Sequence, residues 1–311
     1  MGKIATREAF GKALAKLALE NPKVVALDAD LAASTKTNEL KKVVPERHFD
    51  MGIAEANMIG VAAGMAASGK IPYAASFAVF ATGRAYDQVR NSVAYSHLNV
   101  KICGTHAGIT VGEDGATHQA LEDIALMRAI PGMVVIQPCD GRETEAAVRA
   151  VAEYDGPCYL RLGRAAVEDV NTDPDYEFEI GKGVVLHEGD SPVTFVATGV
   201  LVPEALKAAE ILREKGIDPS VINIHTIKPL DEELIINYAY RSNLIVSMEE
   251  HNIIGGLGSA VSECLTKNCP TRQLFIGMED VFGESGTASQ LMDKYGLTGS
   301  KIAEKVLAAL K

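Results

Sequence analysis

Asp50-Met51-Gly52-Ile53-Ala54-Glu55-Ala56-Asn57-Met58, continuing through Ile59-Gly60-Val61-Ala62-Ala63-Gly64-Met65-Ala66, sets one carboxylate, Glu55, among apolar neighbours. The residues before Glu55 read as the end of a strand. Those after it read as an Ala/Gly-rich helix with almost no polar side chains, a composition that predicts burial on most faces. On Glu55 the helix dipole favours the charged form and loss of water favours the neutral one, so the group is ready to exchange a proton. A glutamate in a first turn also serves simply to complement the dipole. Its neighbours in the fold therefore decide whether it does chemistry.

The same strand-to-helix step recurs outward from this stretch. Thr6 is placed to cap a first helix carrying Phe10, Leu14 and Leu17 at helical spacing, which Asn21-Pro22 stops. Strands are expected at Val24–Asp28, His48–Met51, Tyr73–Ser76, Val100–Cys103, Val134–Pro138 and Cys158–Leu162, with a helix through Tyr86, Val89, Val93 and Ala94 and another over Arg142–Tyr154. Val167–Glu179, with Asn171, Pro174 and several acids, breaks the alternation and reads as a linker. A second unit follows, with strands at Val193–Ala197, Ser220–Ile224, Leu244–Met248 and Gln273–Ile276 and helices between them. The expected fold is α/β, two domains each built on a mainly parallel sheet flanked by helices, divided as residues 1–170, a linker 171–180, and 181–311.

Composition narrows the function classes. The chain has 311 residues, 47% hydrophobic, with a formal charge of −11 spread along its length and no basic stretch interleaved with aromatics, so nucleic acid is not an expected partner. Mean hydropathy is +0.08, typical of a globular chain. Cys103, Cys139, Cys158, Cys264 and Cys269 form an odd set without a Cys-x-x-Cys pair and read as reduced thiols. No signal-peptide core and no apolar run near the ~18 residues of a membrane span is present. A soluble, cytoplasmic protein without a membrane partner is expected.

In open α/β sheets ligands bind beyond the carboxyl ends of strands. Two loops there are rich in hydrogen-bonding groups. Asp30-Leu31-Ala32-Ala33-Ser34-Thr35 follows the strand ending at Asp28, and His106–Gln119 carries two histidines, two acids and two hydroxyls. The second loop is long and glycine-punctuated, which suits binding or proton transfer. A zinc site and a self-satisfied structural loop are its rivals. Gly255-Gly256-Leu257-Gly258 before a helix resembles a phosphate-binding turn without the full glycine spacing. His251, after Glu249-Glu250, reads as a strand-end histidine satisfied by its neighbours, and Arg84, Tyr86 and Asp87 as a surface or interface cluster.

Taken together, Ala29-Asp30-Leu31-Ala32-Ala33-Ser34, Gly52-Ile53-Ala54-Glu55-Ala56-Asn57-Met58, Ser76-Phe77-Ala78-Val79-Phe80 and Gly112-Glu113-Asp114-Gly115-Ala116-Thr117-His118-Gln119 resemble transketolases in order and spacing. The resemblance spans essentially the whole chain, as the pyrimidine-binding domain plus the C-terminal domain of a split transketolase. It implies thiamine diphosphate as cofactor. The family's Gly-Asp-Gly…Asn motif, which holds magnesium (or calcium) and the diphosphate, does not occur here. The resemblance therefore implies a separate N-terminal subunit that holds the metal, in an α2β2 tetramer. Without a phosphate-cradling loop of its own, and with Phe77 and Phe80 expected to lie partly open, this chain alone is expected to form at most a homodimer. No metal ligands are expected here.

Residue by residue, the resemblance implies that Glu55 hydrogen-bonds the aminopyrimidine, with His118 the other catalytic group near the transferred two-carbon unit. Phe80 stacks on the pyrimidine beside Phe77, Asp30 and Leu31 contact the cofactor, and Val111 props it in its bent shape. Asp114 reads a sugar hydroxyl, and Arg7, Ser34, His106 and Arg164 bind the sugar phosphate. Arg164 is preferred to Arg161 because it ends the strand. Gly83 stands where many transketolases have tyrosine, and Ala33 and Ala116 replace usual prolines. Arg84-Ala85-Tyr86-Asp87-Gln88 is similar to deoxyxylulose phosphate synthases and the β-subunits of 2-oxo acid dehydrogenases. The implied function is transfer of a two-carbon ketol unit from a ketose phosphate to an aldose phosphate, as in the pentose phosphate pathway. A deoxyxylulose phosphate synthase-like subunit, a 2-oxo acid dehydrogenase β-like subunit and a non-catalytic assembly subunit are the alternatives.

Overall fold

The computed structural model describes residues 3–172 and 176–311. Pro174, one of the residues that marked the linker, lies outside the described residues. The strands are β1 (Lys3–Ala5), β2 (Val24–Asp28), β3 (His48–Asp50), β4 (Ile71–Phe77), β5 (Lys101–Thr105), β6 (Val134–Ile136), β7 (Cys158–Arg161), β8 (Ala166–Glu168), β9 (Val184–His187), β10 (Val193–Ala197), β11 (Ser220–Asn223), β12 (Thr226–Lys228), β13 (Leu244–Asn252) and β14 (Gln273–Met278). One sheet runs β12-β6-β7-β5-β4-β2-β3 and another β14-β13-β10-β11-β9, with β1 and β8 forming a separate antiparallel pair. Only the β12–β6 and β11–β9 pairings within the two larger sheets are antiparallel. The fold is α/β, with mainly parallel sheets flanked by helices.

Runs such as Val24-Val25-Ala26-Leu27 form interior strands because helices cover both faces of the sheet, leaving no position for a polar alternation. One apolar cluster joins Met58, Ile59, Ile102 and Tyr159 of the first half to Ile224, Ile227, Ile245 and Leu257 of the second. Each fully buried Leu or Ile there contributes about 1.5–3 kcal/mol, so the halves are held by core, not by surface contact. β12 completes the junction: a second-half strand borders the first-half sheet through Thr226↔Ile136.

Several local expectations are corrected. Thr6 is the first helical residue and Ala5 the N-cap; the Thr6 hydroxyl instead accepts from the Gly163 amide at 2.7 Å. Val167 does not begin a linker but lies in β8 against Ile4, and the Val170 and Asn171 amides donate to Asp140. β1, β8, β9 and β12 were not anticipated because strands this short show little alternation. The helix Glu55–Ala67 buries Met58, Ile59, Ala62 and Ala63 but exposes Asn57, Gly60, Gly64 and Ala67, so it is not covered on most faces within one chain. Small residues gain little from burial, and hydropathy alone does not say that a neighbour is present.

His225, next to β12, packs against Phe178 with ring centres 4.1 Å apart and planes tilted by 31°, and bonds the Thr226 hydroxyl at 2.9 Å. Burial pushes its pKa down to about 3. The unfolded chain, with histidine near its ordinary 6.5, takes up this proton first, so the contribution to stability is present above 6.5 and is lost as pH falls toward 3. The difference in unfolding free energy between the wild type and His225→Asn should therefore shrink by roughly 2–3 kcal/mol between pH 7 and pH 4.5. Urea unfolding at both pH values measures it; a difference independent of pH would show that His225 titrates normally.

Candidate active site

All parallel neighbours of the first-half sheet present their carboxyl ends on one edge. The chain leaves β2 toward β3 on one side and leaves β4 toward β5 on the other, so β2 and β4 flank the point where strand order reverses. A crevice at such a point is the usual ligand site of an open α/β sheet. Asp30, Leu31 and Ser34 follow β2, Glu55 follows β3, Phe77 and Phe80 stand at the end of β4, His106 follows β5 and Arg164 follows β7.

The β2 loop is anchored from below. Asp28, fully buried, accepts from the Leu31 amide at 3.0 Å and pairs with His48 Nε2 at 2.7 Å. Asp50 accepts from the Asp30 and Gly52 amides. Asp30 itself is exposed, at φ +60°.

Glu55 is 4% exposed and is not alone: Arg84 Nη1 donates to its Oε1 at 3.0 Å. The Arg84 guanidinium also lies 3.9 Å from the centre of the Phe80 ring. Arg84 is thus no mere surface residue of its helix; it links the buried carboxylate to the aromatic wall. Phe80 stacks on Phe77 at 5.8 Å, and Phe77 stacks on His106 at 3.8 Å. Phe77 is buried, contrary to the expectation that it lies partly open; Phe80 is half-buried.

Beyond the aromatics the site turns cationic. Arg7 Nη1 donates to the Ser34 carbonyl at 2.8 Å and approaches His106 Nε2 at 3.3 Å. A guanidinium only donates, so Nε2 accepts and Nδ1 carries the hydrogen toward the Thr105 hydroxyl at 2.9 Å. Burial, then Arg7 and Arg164, hold the His106 pKa down to about 3. Neutral histidine between cations leaves this pocket ready for an anion. Arg7 reaches it because β1 pairs with β8, which ties the Arg7 amide to the Gly163 carbonyl at 3.3 Å.

The long loop forms a turn over Ile109–Val111 and then runs out to Glu113 and Asp114, both exposed. Val111 is buried. Arg164 donates to the Val111 carbonyl and pairs with Glu113 at 3.4 Å and Asp114 at 3.8 Å. The His118 ring stands nearly perpendicular to Phe80 at 5.3 Å and to Phe77 at 6.1 Å, with the Thr117 hydroxyl on Nδ1 at 2.9 Å. Arg161 is fully buried and committed to Asp123 at 2.7 Å. Chemistry-bearing residues come from the first half, but the loop leans on the second: Gln119 Nε2 donates to the Glu284 carbonyl at 2.9 Å.

Two weaker sequence signals resolve into structure. The Glu249 carboxylate accepts from the Leu257 and Gly258 amides at 2.7 and 2.8 Å, so that helix start is already capped by the protein itself. His251 is buried against the Asn252 carbonyl. Among the described residues no group of three His, Cys, Asp or Glu is placed to hold a metal ion, and no helix is long and apolar enough to cross a membrane. Asp28 and His48 carry no local signal of their pairing, and the roles of Arg84 and Gln119 depend on partners distant in sequence.

Residues 2–169 match the family model of the transketolase pyrimidine-binding domain, and residues 181–302 that of the transketolase C-terminal domain. The chain belongs to the transketolase family. It is 50% identical over 307 residues to a Methanocaldococcus jannaschii protein named as a transketolase C-terminal section, covering 98% of this chain and 96% of that one. It is 46% identical to a 6-deoxy-6-sulfo-D-fructose transketolase subunit of a Clostridium species, over 95% of this chain and 91% of that one. Human transketolase matches at 38% identity across 98% of this chain but only 49% of its own length. Among solved structures, a split gene transketolase in an inactive β4 tetramer superposes with a TM-score of 0.91 at 51% identity, covering 99% and 98% of the two chains. Membership of the transketolase family implies dependence on thiamine diphosphate.

Proposed function

We propose that this chain is the C-terminal subunit of a split transketolase, divided as residues 1–170, 171–180 and 181–311, and that it works in the cytoplasm. With an N-terminal subunit it transfers a two-carbon ketol unit from a ketose phosphate, such as xylulose 5-phosphate, to an aldose phosphate. The observation that carries this reading is the unbroken run of contacts from Glu55 through Arg84, Phe80 and Phe77 to His106, Arg7 and Ser34. A buried carboxylate and an aromatic wall end in a cationic pocket.

These residues fit the pyrimidine end of thiamine diphosphate. Glu55 supplies a shielded carboxyl group for a hydrogen bond to a ring nitrogen, Phe80 a stacking face beside Phe77, Asp30 and Leu31 the loop wall, and Val111 an apolar prop. When bound, the cofactor supplies an electron sink for the two-carbon unit. Glu55 holds the proton at the ring nitrogen, Asp114 reads a sugar hydroxyl, and His118 moves a proton at the transferred unit. Arg7 and Arg164 receive the phosphate, with Ser34 and His106 lining its pocket. The diphosphate and its magnesium or calcium fall to the N-terminal subunit in an α2β2 tetramer. The β4 likeness supports inactive self-association without that partner, in place of a homodimer as the limit.

Donor comparison tests the reading. In the mixture with an N-terminal section, Arg164→Ala should raise KM for a ketose phosphate roughly tenfold to a hundredfold and leave hydroxypyruvate nearly unchanged. Equal damage to both donors would show that Arg164 only holds the loop through Val111. The chain is also 40% identical to a 1-deoxy-D-xylulose-5-phosphate synthase of Caldanaerobacter subterraneus, covering half of that protein. Carbon dioxide release from pyruvate, without ketol transfer, would favour that chemistry.

A further inference from the structure

β13 outruns its neighbour. Its residues Leu244–Met248 pair with β10, and the strand then continues through Glu249, Glu250 and His251 to Asn252, whose amide donates to the Leu121 carbonyl at 2.9 Å. This overhang passes beneath the long loop of the first half. Glu250 is 1% exposed, and its Oε1 accepts from the Thr110 amide at 2.5 Å. A Cβ on Gly108, which sits at φ +78°, would lie 2.2 Å from the Glu250 carboxyl carbon. The loop therefore takes a left-handed glycine where it crosses this carboxylate. The Glu250 carbonyl in turn accepts from Arg161 Nη2 at 3.0 Å, and Asp123 fixes that guanidinium.

Burial pushes the Glu250 carboxyl up to about 7, against the opposing pull of Arg161 and the Thr110 amide. The protein keeps a costly group at this point. The contact it makes is to the middle of the Ile109–Val111 turn. Both ends of that turn are tied elsewhere: Gly108 to the Ala120 carbonyl at 3.0 Å, and the Val111 carbonyl to Arg164.

We infer that Glu250 is a positioning residue: through the Thr110 amide it sets the Ile109–Val111 turn, and with it the placement of Val111, Asp114 and His118 at the sheet edge. This gives the second half a part in the site, behind the candidate residues of the first half. The effect on turnover rests on the transketolase reading above; the effect on the loop does not.

Deuterium exchange on the purified chain, together with ketol transfer in the mixture with an N-terminal section, tests it. Glu250→Leu keeps the volume and removes the acceptor. It should raise exchange across 106–119 about tenfold while β2 and β4 stay protected, and lower kcat/KM about tenfold to a hundredfold. Glu250→Gln keeps an acceptor oxygen and should restore both to within a few fold. Glu250→Asp withdraws the acceptor by one methylene and should loosen the loop in the same way, which serves if the Leu variant does not fold. Unchanged loop exchange, exchange rising equally over the whole sheet, or a loosened loop with wild-type turnover would each overturn the inference. A loosened loop in a chain whose wild type transfers no ketol group would instead uphold the positioning role and sink the functional reading.

Discussion

Glu55→Gln, mixed with an N-terminal section, is expected to lower turnover by about 10²–10⁴-fold, the range usual for losing a positioned proton-transfer group. The substitution preserves shape. Arg84 donates to Oε1 at 3.0 Å, and an amide oxygen accepts that bond as a carboxylate does, more weakly. The helix start keeps its geometry, because Met58, Ile59 and Ala62 anchor it in the core. What is lost is the ability to hold and exchange a proton in a site shielded from water. The prediction is therefore specific: kcat falls, the melting temperature stays close to the wild type, and the Michaelis constant for donor moves little. Steady-state ketol transfer and thermal unfolding on the same preparations measure it. Near wild-type kcat would remove Glu55 from proton transfer and leave it as the partner of Arg84.

The second large effect concerns assembly. The purified chain should be inactive, bind thiamine diphosphate weakly and self-associate; adding a metal-binding N-terminal section should convert it to an α2β2 tetramer and restore turnover. The physical basis is what this chain leaves uncovered. Ile53, just before Glu55, is 74% exposed, Ile254 61% and Phe282 87%. The helix Glu55–Ala67 shows a strip of Asn57, Gly60, Gly64 and Ala67 where an added Cβ on either glycine would meet nothing within 4 Å. Apolar groups left open beside a candidate site mark interfaces, and a glycine strip lets a second backbone approach closely. Phe77, by contrast, is covered by His106 and Phe80 within the chain, so the aromatic wall is formed before any partner arrives. Sedimentation velocity and a coupled assay on the two sections, separate and mixed, decide the matter. Full activity and tight cofactor binding from this chain alone would overturn the split-enzyme proposal.

By itself the sequence determined the layout. The apolar run Val24–Leu27 declared a buried parallel strand, because only a sheet covered on both faces tolerates continuous hydrophobicity. The polar loops after them named the edge where ligands go, and the joined motifs around Glu55, Phe77, Phe80 and His118 named the family. Local composition carries this much because burial and turn chemistry act within a few residues. The tertiary structure decided everything that depends on who meets whom. It brought Arg84 onto Glu55 across 29 positions, Arg7 onto His106 across 99, and Glu250 onto Thr110 across 140. It moved Val167 from linker to strand and opened the outer face of the Glu55 helix. Contacts at such separations leave no periodicity in a single chain: a charge or a glycine has the same letter whether its partner lies across a sheet junction or in the solvent.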